Sequence, residues 1–226
     1  MSQTLKVAVV GLGMGGAHVA NFSKDPRTEV IGICDLNPDR LEKVKDKFDI
    51  PNTFDDAEKM FQLEGLDAVS IAVPNAFHRD LTVSALKKGL HVLCEKPMAM
   101  TVAEAEEMEQ TSLEAGKNLM INFSHRCHPT MESLKKVVES GALGDIYSGR
   151  TVWHRRRGMP GFGGWFGQKK MSGGGPLIDL GVHRLDQALW LMDYPDPISV
   201  SGCTYDPIAR AEAEKNNAVS KIVDFA

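Results

Sequence analysis

From Leu5 to Phe123 the chain repeats one arrangement. A short run of consecutive apolar residues is followed by a longer stretch in which apolar residues return every three or four positions. The runs LKVAVV (Leu5–Val10), EVIGICD (Glu29–Asp35), DAVSIAVP (Asp67–Pro74), HVLCEKP (His91–Pro97) and NLMINF (Asn118–Phe123) predict strands buried on both faces. A half-solvated strand would instead alternate apolar with polar residues. Between the runs lie four predicted helices: the segment after Gly11, Asn37–Ile50 with Leu41, Val44 and Phe48 on one face, Ala76–Gly89, and Val102–Gly116. Pro38 suits a first helical turn, and Gly89 and Gly116 suit helix ends. Doubly buried strands alternating with helices predict an α/β fold, a doubly wound parallel sheet covered on both sides.

Beyond Phe123 the pattern loosens. A helix is predicted from about Thr130 to a stop at Gly141, then a strand over Ile146–His154, a Gly-rich loop from Arg155 to Pro176, a helix over Leu177–Met192 and a strand over Ile198–Thr204. Two strands make a marginal sheet with open edges.

The junction after the first strand carries the first chemistry. Gly11, Gly13 and Gly16 form G-x-G-x-x-G, with Met14 inside it, and Asp35 ends the second strand about 20 residues on. In a strand–turn–helix setting this is a dinucleotide fingerprint. Gly11 permits the tight turn, Gly13 lets the backbone approach a pyrophosphate, Gly16 allows close helix–strand packing, and the free N–H groups at the helix start attract the anion. Asp35 would accept hydrogen bonds from the adenosine ribose and repel a 2′-phosphate, which favours NAD over NADP; Arg40 nearby softens that preference. The competing reading is glycines that serve a tight turn only.

The 226 residues suit one large or two small domains, and the net charge of −4 argues against a nucleic-acid face. Cys34, Cys94, Cys127 and Cys203 are scattered, with no disulfide framework or zinc ribbon, which points to reduced thiols in a cytoplasm. No apolar run reaches the ~18 residues of a membrane span, and the N-terminus has no signal-peptide pattern. No nucleic-acid or membrane partner is expected.

VPNAFH (Val73–His78), KKGLHVLCEKPMA (Lys87–Ala99) and GGGPLIDLGVHRLD (Gly173–Asp186), taken with the glycine motif, resemble the Gfo/Idh/MocA family, the glucose-fructose oxidoreductase and inositol dehydrogenase group. The resemblance covers essentially the whole chain. It implies a dinucleotide-binding Rossmann domain over 1–123 and part of an α+β substrate domain, built on an open sheet, over 124–226. It also implies NAD(P)-dependent oxidation or reduction of a sugar or polyol. Family members run roughly another hundred residues, so the second domain reads as cut short; a full-length parent would be a homo-oligomer.

Lys96 stands at the carboxyl end of a parallel strand, where open α/β sheets build their sites. Its ammonium would stabilise an alkoxide on the substrate; the alternative is a surface lysine paired with Glu95. By resemblance Pro74, Asn75, His78 and Glu95 lie close to the cofactor, although His78 suits equally well the solvent-facing first turn of a helix. Asp179 and His183 are four apart on one helical face behind the Gly173–Gly175 run. His183 would take the substrate proton and Asp179 would orient it or hold a second hydroxyl. On spacing alone the pair reads as structural, since an acid in a first turn favours the helix dipole and a lone helical histidine is more often structural than catalytic.

The Gly-rich loop and the strand before it hold Trp153, Arg155, Arg156, Arg157, Phe162, Trp165 and Phe166. Aromatic faces stack on sugar rings and guanidinium groups bind carboxylate or phosphate, so Arg155 and Trp165 join Asp179 and His183 as substrate candidates. The other reading is a core tryptophan beside a solvated cationic face. His125–His128 (HRCH) has ligand chemistry but no partner set, so no metal is expected. Two further functions stay open: an NAD-dependent glycosidase of the same family, and a dinucleotide-binding fragment without turnover.

Overall fold

The computed structural model describes residues 4–155 and 164–205. The chain forms two compact units, Met1–Asn122 and Phe123–Ala226.

In the first unit β1 (Leu5–Val10), β2 (Thr28–Cys34), β3 (Asn52–Phe54), β4 (Ala68–Ile71), β5 (His91–Glu95) and β6 (Leu119–Asn122) form one parallel sheet in the order β3-β2-β1-β4-β5-β6. The period of two is visible in the packing. Val7 and Val9 of β1 enter one apolar cluster and Ala8 and Val10 enter the other, so both faces are dry as the unbroken apolar runs require. α1 (Gly15–Phe22) and α2 (Pro38–Phe48) cover the first face through Val19, Phe22, Leu41, Val44 and Phe48. The short α3 (Ala57–Met60), with α4 (His78–Lys87) and α5 (Val102–Ala115), covers the second through Met60, Leu86 and Met108. Helix ends follow local chemistry. Asn37 accepts the Arg40 N–H ahead of Pro38, Thr101 accepts the Glu104 N–H, and Gly116 closes α5 in the left-handed region at φ 60°.

Two elements go beyond the sequence pattern. β3 is three residues long, pairs only with β2 and carries no apolar run; α3 is a single turn. The order reverses between β1 and β4, which opens a crevice at the carboxyl ends of the strands.

The second unit contains α6 (Pro129–Glu139), α7 (Lys169–Ser172), a π-helical turn (Leu177–Gly181) and α8 (Val182–Leu191), with a 3₁₀ turn at Trp165–Gly167. Neither Ile146–His154 nor Ile198–Thr204 forms a strand. Alternating sequence specifies only which face is buried, whereas a strand also needs a neighbour for its N–H and C=O groups. Tyr147 is 97% exposed and Ile198 fully so, and no described strand runs beside either segment.

Candidate active site

The β1–α1 turn is shaped by two glycines. Gly11 sits at φ +83°, donates its N–H to the Cys34 carbonyl at 2.8 Å, and a Cβ there would lie 2.4 Å from the Ala72 carbonyl oxygen. A Cβ at Gly15 would lie 2.8 Å from Val9 Cγ1 and 3.3 Å from Ala72 Cβ, whereas one at Gly16 would meet nothing within 4 Å. The packing role expected of Gly16 therefore belongs to Gly15, because that residue faces the sheet. Gly13 likewise has open space where its side chain would be. Met14, exposed, occupies the helix cap, and no side chain caps the first turn of α1. Open space over Gly13 and Gly16 and an uncapped helix start fit the phosphates of a dinucleotide.

Asp35 closes this cradle. Its Oδ2 accepts the Leu12 N–H at 2.7 Å and its Oδ1 the Asn37 N–H at 2.8 Å, with the Arg40 guanidinium 3.7 Å away. The two backbone bonds fix the carboxylate beside the glycine turn; each oxygen keeps a lone pair for a hydroxyl. Arg40 stands close enough to compensate part of that charge.

At the exits of β4 and β5 the structure builds a set of buried polar contacts. Pro74 leads into a 3₁₀ turn over Asn75–Phe77, and Asn75 is buried. His78 is fully buried, with Nδ1 2.7 Å from the Pro97 carbonyl oxygen and Nε2 3.0 Å from that of Val73. That burial removes the solvent-facing reading of His78. It also lowers the imidazole pKa, against which the two carbonyls pull upward. The Lys96–Pro97 peptide bond is cis.

Glu95 accepts from His18 Nε2 at 3.0 Å and from Asn122 Nδ2 at 2.6 Å, both at Oε1, and from the Lys96 N–H at 3.2 Å at Oε2. Burial pushes its carboxyl up, but the hydrogen bonds from His18 and Asn122 hold it below the ordinary range. An ionised carboxylate only accepts, so His18 Nε2 carries a proton. In the neutral ring Nδ1 then accepts from the Ser70 hydroxyl at 2.7 Å. His18, Ser70 and Asn122 escape sequence reasoning because each sits singly in an element whose neighbours are apolar.

In the second unit Asp179 lies in the π-helical turn and His183 in the first turn of α8. π-turns recur where a helix must present particular side chains. His183 is buried, and its ring stacks on that of His125 with centroids 4.2 Å apart and planes 10° from parallel. Trp153 continues the cluster, 5.3 Å from His125, with Arg184 at 4.7 Å and Arg155 at 5.1 Å from its ring. Trp165 stacks on Phe166 at 3.8 Å. Asp186 is engaged by Arg126 through Nε at 2.7 Å and through Nη2, a fork that raises the guanidinium pKa. The HRCH residues thus have separate tasks. His125 stacks, Arg126 pairs, Cys127 is exposed and His128 caps α6 by accepting the Thr130 N–H. Arg156, Arg157 and Phe162 lie outside the described residues.

Residues 5–123 match the model of an oxidoreductase family with an NAD-binding Rossmann fold, Gfo/Idh/MocA, and residues 131–225 match that family's C-terminal domain. The chain belongs to the Gfo/Idh/MocA family. It is 36% identical over 209 residues to D-glucoside 3-dehydrogenase of Escherichia coli K12, covering 92% of this chain and 59% of that protein. Among solved structures, levoglucosan dehydrogenase in complex with NADH and levoglucosan superposes with a TM-score of 0.75 at 29% identity, over 84% of this chain and 54% of that one. GenD2 from gentamicin A biosynthesis, in complex with NAD, gives a TM-score of 0.82 at 25% identity, over 92% of this chain and 59% of that one. This Gfo/Idh/MocA chain spans less than two thirds of the length of these relatives. Among its described residues no helix is long and apolar enough to cross a membrane.

Proposed function

We propose that the chain supplies the cofactor cradle and the proton-handling residues of an NAD-dependent dehydrogenase acting on a hydroxyl of a sugar or polyol. The observation that carries this reading is the glycine turn held to Asp35 through Leu12, open over Gly13 and uncapped at α1. The dehydrogenase names of the relatives support the reaction class. Bound NAD would accept a hydride from the carbon bearing the hydroxyl.

The chain's own residues handle the rest. Lys96 donates from its ammonium to the substrate oxygen and stabilises the developing alkoxide. His183 takes the hydroxyl proton on a ring nitrogen and returns it in the reverse direction. Asp179, one turn earlier, orients His183 or holds a neighbouring hydroxyl. Trp165, stacked on Phe166, and Arg155 are the further candidates to meet the sugar, and a D-glucoside is the first substrate to try. The four free cysteines fit a reducing compartment, and we place the protein in the cytoplasm.

The test pairs NADH and NADPH titrations with turnover of methyl β-D-glucoside, levoglucosan and myo-inositol. Saturable NADH binding, weaker for NADPH, is expected. His183→Ala should cut turnover by ~10²–10⁴-fold at unchanged NADH affinity. A wild-type chain that binds neither nucleotide, or a His183→Ala variant that loses NADH, refutes the assignment.

A further inference from the structure

Lys96 has two covalent neighbours, and a buried histidine holds each of them. Glu95 before it is gripped by His18 Nε2 at 3.0 Å and by Asn122 at 2.6 Å. Pro97 after it accepts on its carbonyl from His78 Nδ1 at 2.7 Å. His18 is anchored in turn at β4, where its Nδ1 meets the Ser70 hydroxyl at 2.7 Å; His78 Nε2 lies 3.0 Å from the Val73 carbonyl, two residues past the end of β4. Ser70 lies in a central strand, paired on both sides, so the anchor is rigid. His18 also belongs to α1, the helix that begins at the glycine turn.

We infer that His18 and His78 are positioning residues that fix Lys96 by its two neighbours, tying the catalytic end of β5 to β4 and to the cofactor helix. The inference rests on the reading of Lys96 as the donor to the substrate oxygen.

The physical case is one of accounting for buried groups. A shift of the Lys96 backbone along β5 would strand the Glu95 carboxylate or the Pro97 carbonyl, and a buried polar group without its partner is costly. The two grips act on opposite sides of one residue, so translation and tilt are both opposed. His78 is neutral near pH 7, since burial lowers its pKa; it therefore donates from one nitrogen. The shorter contact assigns that proton to the bond with Pro97. Misplacing a reacting group by ~1 Å costs ~10²-fold in rate, which sets the scale expected of losing a grip.

The test reads Lys96 directly. Lysines of the full chain are reductively methylated with ¹³C-formaldehyde, the Lys96 signal is assigned with Lys96→Arg, and its shift and titration are followed by NMR. Four variants separate the contacts. His78→Leu removes the bond to Pro97, and His78→Asn keeps a donor in the place of Nδ1. His18→Asn keeps the Ser70 contact and loses Glu95, and His18→Gln reaches Glu95. The Lys96 signal should move in His78→Leu and His18→Asn and return toward wild type in His78→Asn and His18→Gln. Other lysine signals should hold still. With a turned-over substrate, kcat should fall by up to ~10²-fold at unchanged KM.

An unmoved Lys96 signal in folded His18→Asn and His78→Leu overturns the inference. So does a concerted shift of all lysine signals, which would mean general loosening. Should His78→Leu fail to fold, the His18 pair decides alone. A moving signal in a chain that never turns over keeps the positioning role and refutes the dehydrogenase reading, so the two failures are separable.

Discussion

The glycine turn allows stability and cofactor binding to be pulled apart one position at a time. Gly11→Ala places a side chain at φ +83°, which costs ~1–2 kcal/mol for an L residue. Its Cβ would also press on the Ala72 carbonyl oxygen at 2.4 Å and on Val73 Cγ1 at 2.9 Å, and backbone displacement of that kind adds ~1–3 kcal/mol. The sum, ~2–5 kcal/mol, is a large share of a typical stability of ~5–15 kcal/mol. Gly15→Ala has no φ penalty but meets Val9 Cγ1 at 2.8 Å, for a loss of ~1–3 kcal/mol, partly offset by ~0.5–1 kcal/mol of helix preference. Gly13→Ala meets nothing and should leave stability unchanged or raise it by ~0.4–1 kcal/mol. Yet its methyl group occupies the space in which a pyrophosphate would lie, so NADH affinity should drop. Urea unfolding followed by far-UV circular dichroism reads the first quantity. Tryptophan fluorescence does not, because Trp153, Trp165 and Trp190 all belong to the second unit. The order expected is Gly11→Ala least stable, then Gly15→Ala, then wild type and Gly13→Ala, with only the last losing affinity at full stability. A Gly11→Ala variant that unfolds with wild type, or a Gly13→Ala variant that unfolds early, refutes this account of the turn.

Three further outcomes follow from burial and charge. Stability should decline as pH falls below the ordinary histidine value of 6.5, because the unfolded chain takes up a proton that buried His78 resists. The loss ends at the lowered native value, Glu95 adds a second loss only below 4.5, and urea midpoints of wild type and His78→Asn between pH 8 and pH 4 should differ by the first limb alone. Burial pushes the Cys34 and Cys94 thiols up to about 12, so a thiol reagent at pH 8 should label exposed Cys127 and Cys203 quickly and the other two only on unfolding, read by mass spectrometry. Arg126→Ala strands the buried Asp186 carboxylate and should destabilise the second unit by ~1–3 kcal/mol, more than Asp186→Asn does, as followed by tryptophan fluorescence, which reports on that unit alone.

The sheet was legible in the sequence because a doubly buried strand must be apolar at consecutive positions. That signal is present in Leu5–Val10 and absent from Asn52–Phe54, an edge strand with a single partner. The same logic explains Ile146–His154 and Ile198–Thr204, where β-branched residues promise a strand that only a neighbouring chain segment can complete. At the site, the turn's chemistry was readable at Gly11 and Asp35, but assigning the packing role to Gly15 rather than Gly16 required the helix phase. His18 carried no local mark, and His125 was marked only as part of the HRCH run. Each acquires meaning from residues far along the chain: His18 from Ser70 and Glu95, His125 from His183.

Asp35 has a consequence for how such a protein can change. Its carboxylate is a structural tie for the Leu12 N–H as well as the candidate reader of the ribose. A lineage or a designer exchanging it for a small neutral residue, to admit a phosphorylated dinucleotide, would also untie the turn on which every nucleotide must rest. Cofactor choice at this position is thus inherited together with architecture. A successful switch needs a second substitution that gives Leu12 a new acceptor, and the intermediate carrying only the first should bind both nucleotides poorly.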